Sequence, residues 1–141
     1  MSYPLTKEAI LQFINEHPVF FLATAEGEQP HVRGLMLFRA DETGIYFSTA
    51  KTKSLYKQLN KNPLVEICFA TPETQIRVNG SLEDLDHDLG LKKEILAARP
   101  FMQPWIDAAG FESMAVFRIV NCIAIPWSIT NPIGRKRVIP I

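Results

Sequence analysis

Six short runs of β-branched and aromatic residues, most separated by a few turn-forming residues, restrict this chain to a mainly antiparallel β architecture. The runs are Val19 to Ala25, Pro30 to Arg39, Ile45 to Thr49, Leu64 to Ala70, Gln75 to Leu82 and Met114 to Pro126. Glu26-Gly27-Glu28, Asp41 to Gly44 and Thr71-Pro72-Glu73 supply turns. The first three runs are expected as hairpin-connected neighbours. Three helices are expected beside them. Thr6 can cap the first, which presents Ile10, Phe13 and Ile14 on one face and stops at His17-Pro18. The second spans Lys51 to Lys61 and ends at Asn62-Pro63. The third starts at Asp86 or Asp88 and runs through Ala98 to Arg99-Pro100. Phe101 to Phe111 predicts one short helical turn around Trp105, and Asn131 to Ile141 reads as a tail holding Arg135, Lys136 and Arg137. Without α/β alternation, 141 residues predict one mainly β (α+β) domain over 1–141, a six-stranded antiparallel small barrel, closed or split, with flanking helices.

Charge narrows the partners. Fifteen basic residues balance fifteen acidic ones, so a phosphate backbone would meet no surplus of positive charge. An oligonucleotide-binding barrel would also interleave basic and aromatic residues, a pattern this chain lacks. Zero net charge removes the repulsion that keeps copies apart, which favours self-association. No apolar run approaches a membrane span, and Met-Ser-Tyr-Pro-Leu-Thr-Lys-Glu has no leader pattern; a cytoplasmic chain with no membrane partner is expected. Cys68 and Cys122 sit in apolar, strand-like runs and read as reduced core thiols. No His or Cys spacing suggests a metal.

Arg33 interrupts an otherwise apolar strand. A guanidinium there needs an anion or an acceptor, because an unpaired buried charge is costly, and its fork suits a phosphate. Downstream, Thr49, Lys51, Thr52, Lys53 and Ser54 lead a strand into a helix whose first N–H groups and positive end favour an anion. If the Arg33 strand pairs with Ile45 to Thr49, these groups form a phosphate cradle. Other readings stand beside this one. Arg33 can pair with Glu66, Lys51 and Lys53 can be solvated charges, and Thr52 or Ser54 can be a simple helix cap. His31 flanks Arg33 as a possible acid, ligand or surface histidine. His17 suits its helix C-terminus. His87 with Asp84, Asp86 and Asp88 suits a solvated turn.

The ordered segments Phe-Leu-Ala-Thr (21–24), Gln-Pro-His-Val-Arg (29–33), Gly-Ile-Tyr-Phe-Ser-Thr (44–49), Lys53, Gln-Leu-Asn-Lys-Asn-Pro-Leu-Val (58–65) and Gln-Ile-Arg-Val-Asn-Gly (75–80) resemble the FMN-binding split barrels related to pyridoxamine 5′-phosphate oxidase. The resemblance covers about residues 5 to 85 well. It implies a homodimeric split barrel with cofactor sites at the dimer interface. It implies FMN held by Arg33 at the phosphate, by Gly34, Leu35 and Met36 along the ring, and by Phe47, Ser48 and Thr49 at the ring and ribityl chain. Lys53 and Ser54 match phosphate-binding positions, and Gln75 matches a flavin-binding glutamine. Trp105, Trp127 and the tail arginines are candidates for the partner's share. The chain departs from typical oxidases at Phe38, where they carry lysine, and at Ser54-Leu55, where they carry Arg-Lys. It also lacks their C-terminal substrate-phosphate pattern. The resemblance therefore implies an FMN-dependent oxidoreductase with another small-molecule substrate or redox partner, or a non-enzymatic flavin, haem or deazaflavin module or redox sensor. No side chain demands the role of general acid or base.

Overall fold

The computed structural model describes residues 4–141; Met1 to Tyr3, where the leader reading begins, lie outside them. Among the described residues there are four α-helices, α1 (Lys7–Glu16), α2 (Ser54–Lys61), α3 (Leu89–Ala98) and α4 (Gln103–Ala109). Eight strands are β1 (Val19–Glu26), β2 (Gln29–Met36), β3 (Arg39–Asp41), β4 (Gly44–Ala50), β5 (Leu64–Ala70), β6 (Thr74–Asp84), β7 (Met114–Ser128) and β8 (Ile139–Pro140). Local chemistry sets the helix starts. Thr6 Oγ1 accepts from the Ala9 N–H at 3.1 Å, and Asp88, rather than Asp86, accepts from the Leu91 N–H at 3.0 Å. The Phe101–Phe111 stretch forms two short 3₁₀ turns around α4, which carries Trp105.

All strands pair antiparallel in one open sheet, ordered β2-β1-β5-β6-β7-β4-β3, with β8 added to β7. Eight strands replace the expected six for two reasons. The run from Pro30 to Arg39 breaks at Leu37 and Phe38, whose N–H groups leave β1 for the carbonyls of Pro18 and Tyr46. Its remainder becomes β3, which hairpins with β4. The tail returns as β8 on Ile123 and Ala124. Arg33's strand therefore does not pair with Ile45 to Thr49. β2 pairs only with β1, and β4 pairs with β3 and β7. The β3–β4 turn closes at Gly44, at φ 143°, where a side chain would collide with Arg118 and the Ile119 carbonyl.

Strand alternation sorts the side chains. Phe20 and Leu22 of β1, Phe47 of β4, Phe69 of β5, Ile76 of β6 and Phe117 of β7 are fully buried in the main core, which Ile10 and Ile14 of α1 close. The Phe20 ring lies 5.7 Å from Phe47 and 5.3 Å from Phe69. Each such side chain stabilises the fold by ~1.5–3 kcal/mol through burial. A second cluster covers the other face of β4 and β7. There Tyr46, Met114 and Val116 meet Leu91 and Ile95 of α3 and Ile106 of α4.

The outer face of β1 and β2 has no such cover. Val19 (53%), Phe21 (50%), Val32 (71%) and Met36 (51%) are exposed there. Phe21 stands opposite Gly34 on one side and Cys68 on the other. The same face continues through Arg77 to Ile125, and at its far end Gln75 stands opposite Trp127. Neither cysteine is in a disulfide; burial pushes the Cys122 thiol up to about 11. Among the described residues, no helix is long and apolar enough to cross a membrane.

Candidate functional site

β2 is an edge strand, and α2 packs against β1 and β4 beside it. Arg33 joins these elements. Its Nη1 donates to Thr24 Oγ1 at 2.8 Å, and its Nη2 donates to Gln58 Oε1 at 2.5 Å. The Thr24 hydroxyl also donates to Gln58 Oε1, at 3.0 Å. Thr24 and Gln58 are buried. The guanidinium is thus pinned by neutral acceptors. Glu66 does not serve it, because Glu66 pairs across the sheet with Arg77 at 3.3 Å. Among the described residues, Arg33 has no carboxylate partner. Burial pulls its pKa below the ordinary arginine value. Arginine nonetheless stays protonated.

A groove of about 420 Å³ opens beside it, lined by Arg33, Gly34, Leu35, Lys53, Ser54 and Leu55. The strand and the helix start meet here across an open seam of the sheet, not through strand pairing. Clefts of about 410 and 450 Å³ flank α1, yet neither is lined by a lysine or arginine. Lys53 occupies the N-cap position of α2 and makes no side-chain cap. Neither Thr52 nor Ser54 caps the helix. The Tyr56 N–H turns back to the Lys53 carbonyl at 3.1 Å, so the Ser54 and Leu55 N–H groups are the ones without a protein partner among the described residues, and no acidic residue in the first turn offsets the positive helix end. The groove therefore gathers a guanidinium, an ammonium, a hydroxyl and an uncapped helix start, a set matched to a phosphate monoester.

The other expected site residues lie elsewhere. Lys51 turns away and pairs with Asp86 at 2.7 Å, and Thr52 is exposed in the turn before α2. Met36 projects from the outer face of β2. Phe47 is enclosed in the core, 5.6 Å from the Phe117 ring, so its side chain cannot reach a ligand in the groove. Ser48 points to the opposite face of β4 from Phe47 and Thr49. Thr49 is buried, and its hydroxyl has no hydrogen-bond partner. Gln75 lines a separate pocket of about 160 Å³ with Arg77, Trp127, Arg135 and Lys136. Trp105 packs into the second cluster. His17 Nδ1 sits 3.0 Å from the Phe13 carbonyl, at the end of α1 as expected. The acidic turn holds no metal-type cluster among the described residues.

Thr24 and Gln58, which hold Arg33, stand in segments that carry the family resemblance but were not assigned to the site. A signal existed. Gln58 lies in the Leu55/Leu59 stripe of α2, and Thr24 continues the inward series of Phe20 and Leu22. Each is a polar residue at an apolar position, which calls for a buried partner.

Comparison with known proteins bears on the family and the fold. The chain is 33% identical over 84 residues to a pyridoxine-5′-phosphate oxidase from Dictyostelium discoideum, a match covering 58% of this chain and 37% of that protein. It thus spans little more than a third of that relative. It is 25% identical over 118 residues to general stress protein 26 from Bacillus subtilis, covering 80% and 81% of the two chains. The crystal structure of a NimC/NimA family protein from Clostridium acetobutylicum superposes with a TM-score of 0.77 at 27% identity, covering 95% and 92%. Residues 6–119, from the cap of α1 into β7, match the pyridoxamine 5′-phosphate oxidase family model, and the chain belongs to that family.

Proposed function

We propose that this chain is a single-domain FMN-binding flavoprotein, an oxidoreductase acting on a small molecule or redox partner inside the cell. The observation that carries the proposal is the pinned Arg33 guanidinium, which among the described residues has no carboxylate partner and opens onto Lys53, Ser54 and the uncapped start of α2. A phosphate dianion satisfies all four groups at once. Gly34 and Leu35 continue the groove along an edge strand, where the backbone at Gly34 and the apolar Leu35 can lie against a flat ring. FMN, when bound, supplies hydride or single-electron transfer. The protein contributes binding, orientation and exclusion of water. Among the described residues, no carboxylate or imidazole lines the groove, so no side chain there is assigned to proton transfer.

Phe38, where typical oxidases carry lysine, packs in the second apolar cluster. This supports a substrate other than pyridoxamine 5′-phosphate. A second copy of the chain would cover the exposed apolar face formed by Val19, Phe21, Val32 and Met36. Gln75 and Trp127 lie on the same sheet face, away from their own groove, where they can serve the other copy's cofactor.

Spectroscopic titration with FMN is the test. Saturable binding with shifted flavin bands, bleached by a reductant and restored by air, supports the reading. Failure of FMN to bind or to raise the thermal midpoint overturns it. Binding without reversible reduction would point to storage or sensing instead.

A further inference from the structure

Asp86, in the turn between β6 and α3, is the hub of an ion cluster outside the groove. Its Oδ1 accepts from Lys51 Nζ at 2.7 Å and from Lys92 Nζ at 2.9 Å. Lys92 is only 4% exposed, and its remaining partner is the Phe111 carbonyl at 3.1 Å. The backbone of Lys51 is fastened as well, its N–H donating to the Ser113 carbonyl at 3.0 Å. The turn between β4 and α2 is thereby tied at one residue to two other parts of the fold. From there to the groove is a very short path. The Lys53 N–H closes the turn on the Ala50 carbonyl at 3.1 Å, and Lys53 and Ser54 form one wall. Lys51 and Lys92 hold the Asp86 carboxyl below the usual carboxylate range, and Asp86 raises the Lys51 amine, so both stay charged near neutrality.

We infer that Asp86 is a positioning residue for the anion groove: by fixing Lys51, it sets where Lys53, Ser54 and the first turn of α2 meet a phosphate. The inference rests on the phosphate reading of the groove given above. It also assigns Lys51 an indirect role. Its ammonium anchors the turn rather than meeting the ligand.

The experiment compares FMN with riboflavin, which lacks the phosphate, on the full chain and on Asp86→Asn, Lys51→Met and the double variant. Thermal unfolding confirms that each is folded at the titration temperature. Asp86→Glu, which keeps a carboxylate for the buried Lys92 but displaces it, takes the place of Asp86→Asn in every comparison if the latter does not fold. The expected result is a loss of about tenfold in FMN affinity for either single variant, the scale on which outer partners tune a ligand-holding group. Riboflavin affinity stays unchanged, and the double variant is no worse than either single one. Equal losses for FMN and riboflavin, no loss, or tighter FMN binding in Asp86→Asn overturns the role of Asp86. A loss in Lys51→Met without one in Asp86→Asn makes Lys51 a direct contact and overturns it too. If the unmodified chain does not prefer FMN over riboflavin, the groove reading itself fails, and the role of Asp86 with it.

Discussion

The Arg33 guanidinium of the edge strand β2 and the Gln58 amide oxygen of α2 are 2.5 Å apart, and Thr24 of β1 donates to that same oxygen. One buried amide thus ties strand, helix and guanidinium together across the seam of the sheet.

Replacing Arg33 by Ala removes the one charge in the groove that is rigidly held. Hydrogen bonds to charged groups are worth about 1.5–3 kcal/mol. FMN affinity is expected to fall roughly ten- to a hundredfold, measured by fluorescence titration. The thermal midpoint should change little, because Thr24 and Gln58 keep their bond to each other.

Gln58→Leu should act on both stability and binding. It removes the acceptor shared by the Thr24 O–H and Arg33 Nη2 and leaves Arg33 held by Thr24 alone, at about 1–3 kcal/mol for a buried polar group left unsatisfied. Urea unfolding should show the loss, and FMN titration a weaker affinity than the unmodified chain. Intact affinity would mean that Arg33 orients itself without α2.

Phe47 separates core from site. Phe47→Ala should cost about 3–5 kcal/mol of stability, as for other buried phenylalanines. Phe47→Leu should keep the fold and leave FMN affinity unaltered, measured by titration well below its unfolding midpoint. A selective loss of FMN affinity in the leucine variant would return Phe47 to the ligand.

The Lys51–Asp86 pair predicts a definite pH response. Asp86 is lowered and Lys51 raised in the folded chain, each chiefly through their mutual hydrogen bond. Their stabilisation is present between the ordinary carboxylate and amine values, roughly pH 4 to 10. It is lost as pH falls through the lowered Asp86 value or climbs through the raised Lys51 value. Thermal midpoints recorded against pH should fall less steeply at the acid end in Asp86→Asn than in the unmodified chain. Parallel acid limbs would show that the pair contributes nothing.

The bare outer face predicts association. Phe21→Arg places a charge in its middle, opposite Gly34 and Cys68. Sedimentation should show a dimer for the unmodified chain and a monomer for the variant. A monomeric unmodified chain would leave Val32 and Phe21 exposed for another reason.

Much of this was legible in the residues. Alternating apolar runs gave β1, β4, β5 and β7 nearly to the residue, because one buried face demands that period. Thr6 and the Asp86/Asp88 pair marked their helices through capping chemistry. Arg33, Lys53 and Ser54 stood out in the sequence as candidates, and the fold brings them to one groove. Pairing was less legible. Adjacency in sequence suggested that β2 and β4 pair, whereas Leu37 and Phe38 carry the chain from one end of the sheet to the other. The burial of Phe47 and the ion pairing of Lys51 were not legible, because they come from distant residues, Phe117 and Asp86, which local spacing does not reveal.

The most direct test of the central claim is the ratio of FMN to riboflavin affinity for the unmodified chain and for Arg33→Ala. The phosphate groove predicts a strong preference for FMN in the first that largely disappears in the second. Equal affinities in the unmodified chain, or a preference that survives without Arg33, would contradict it.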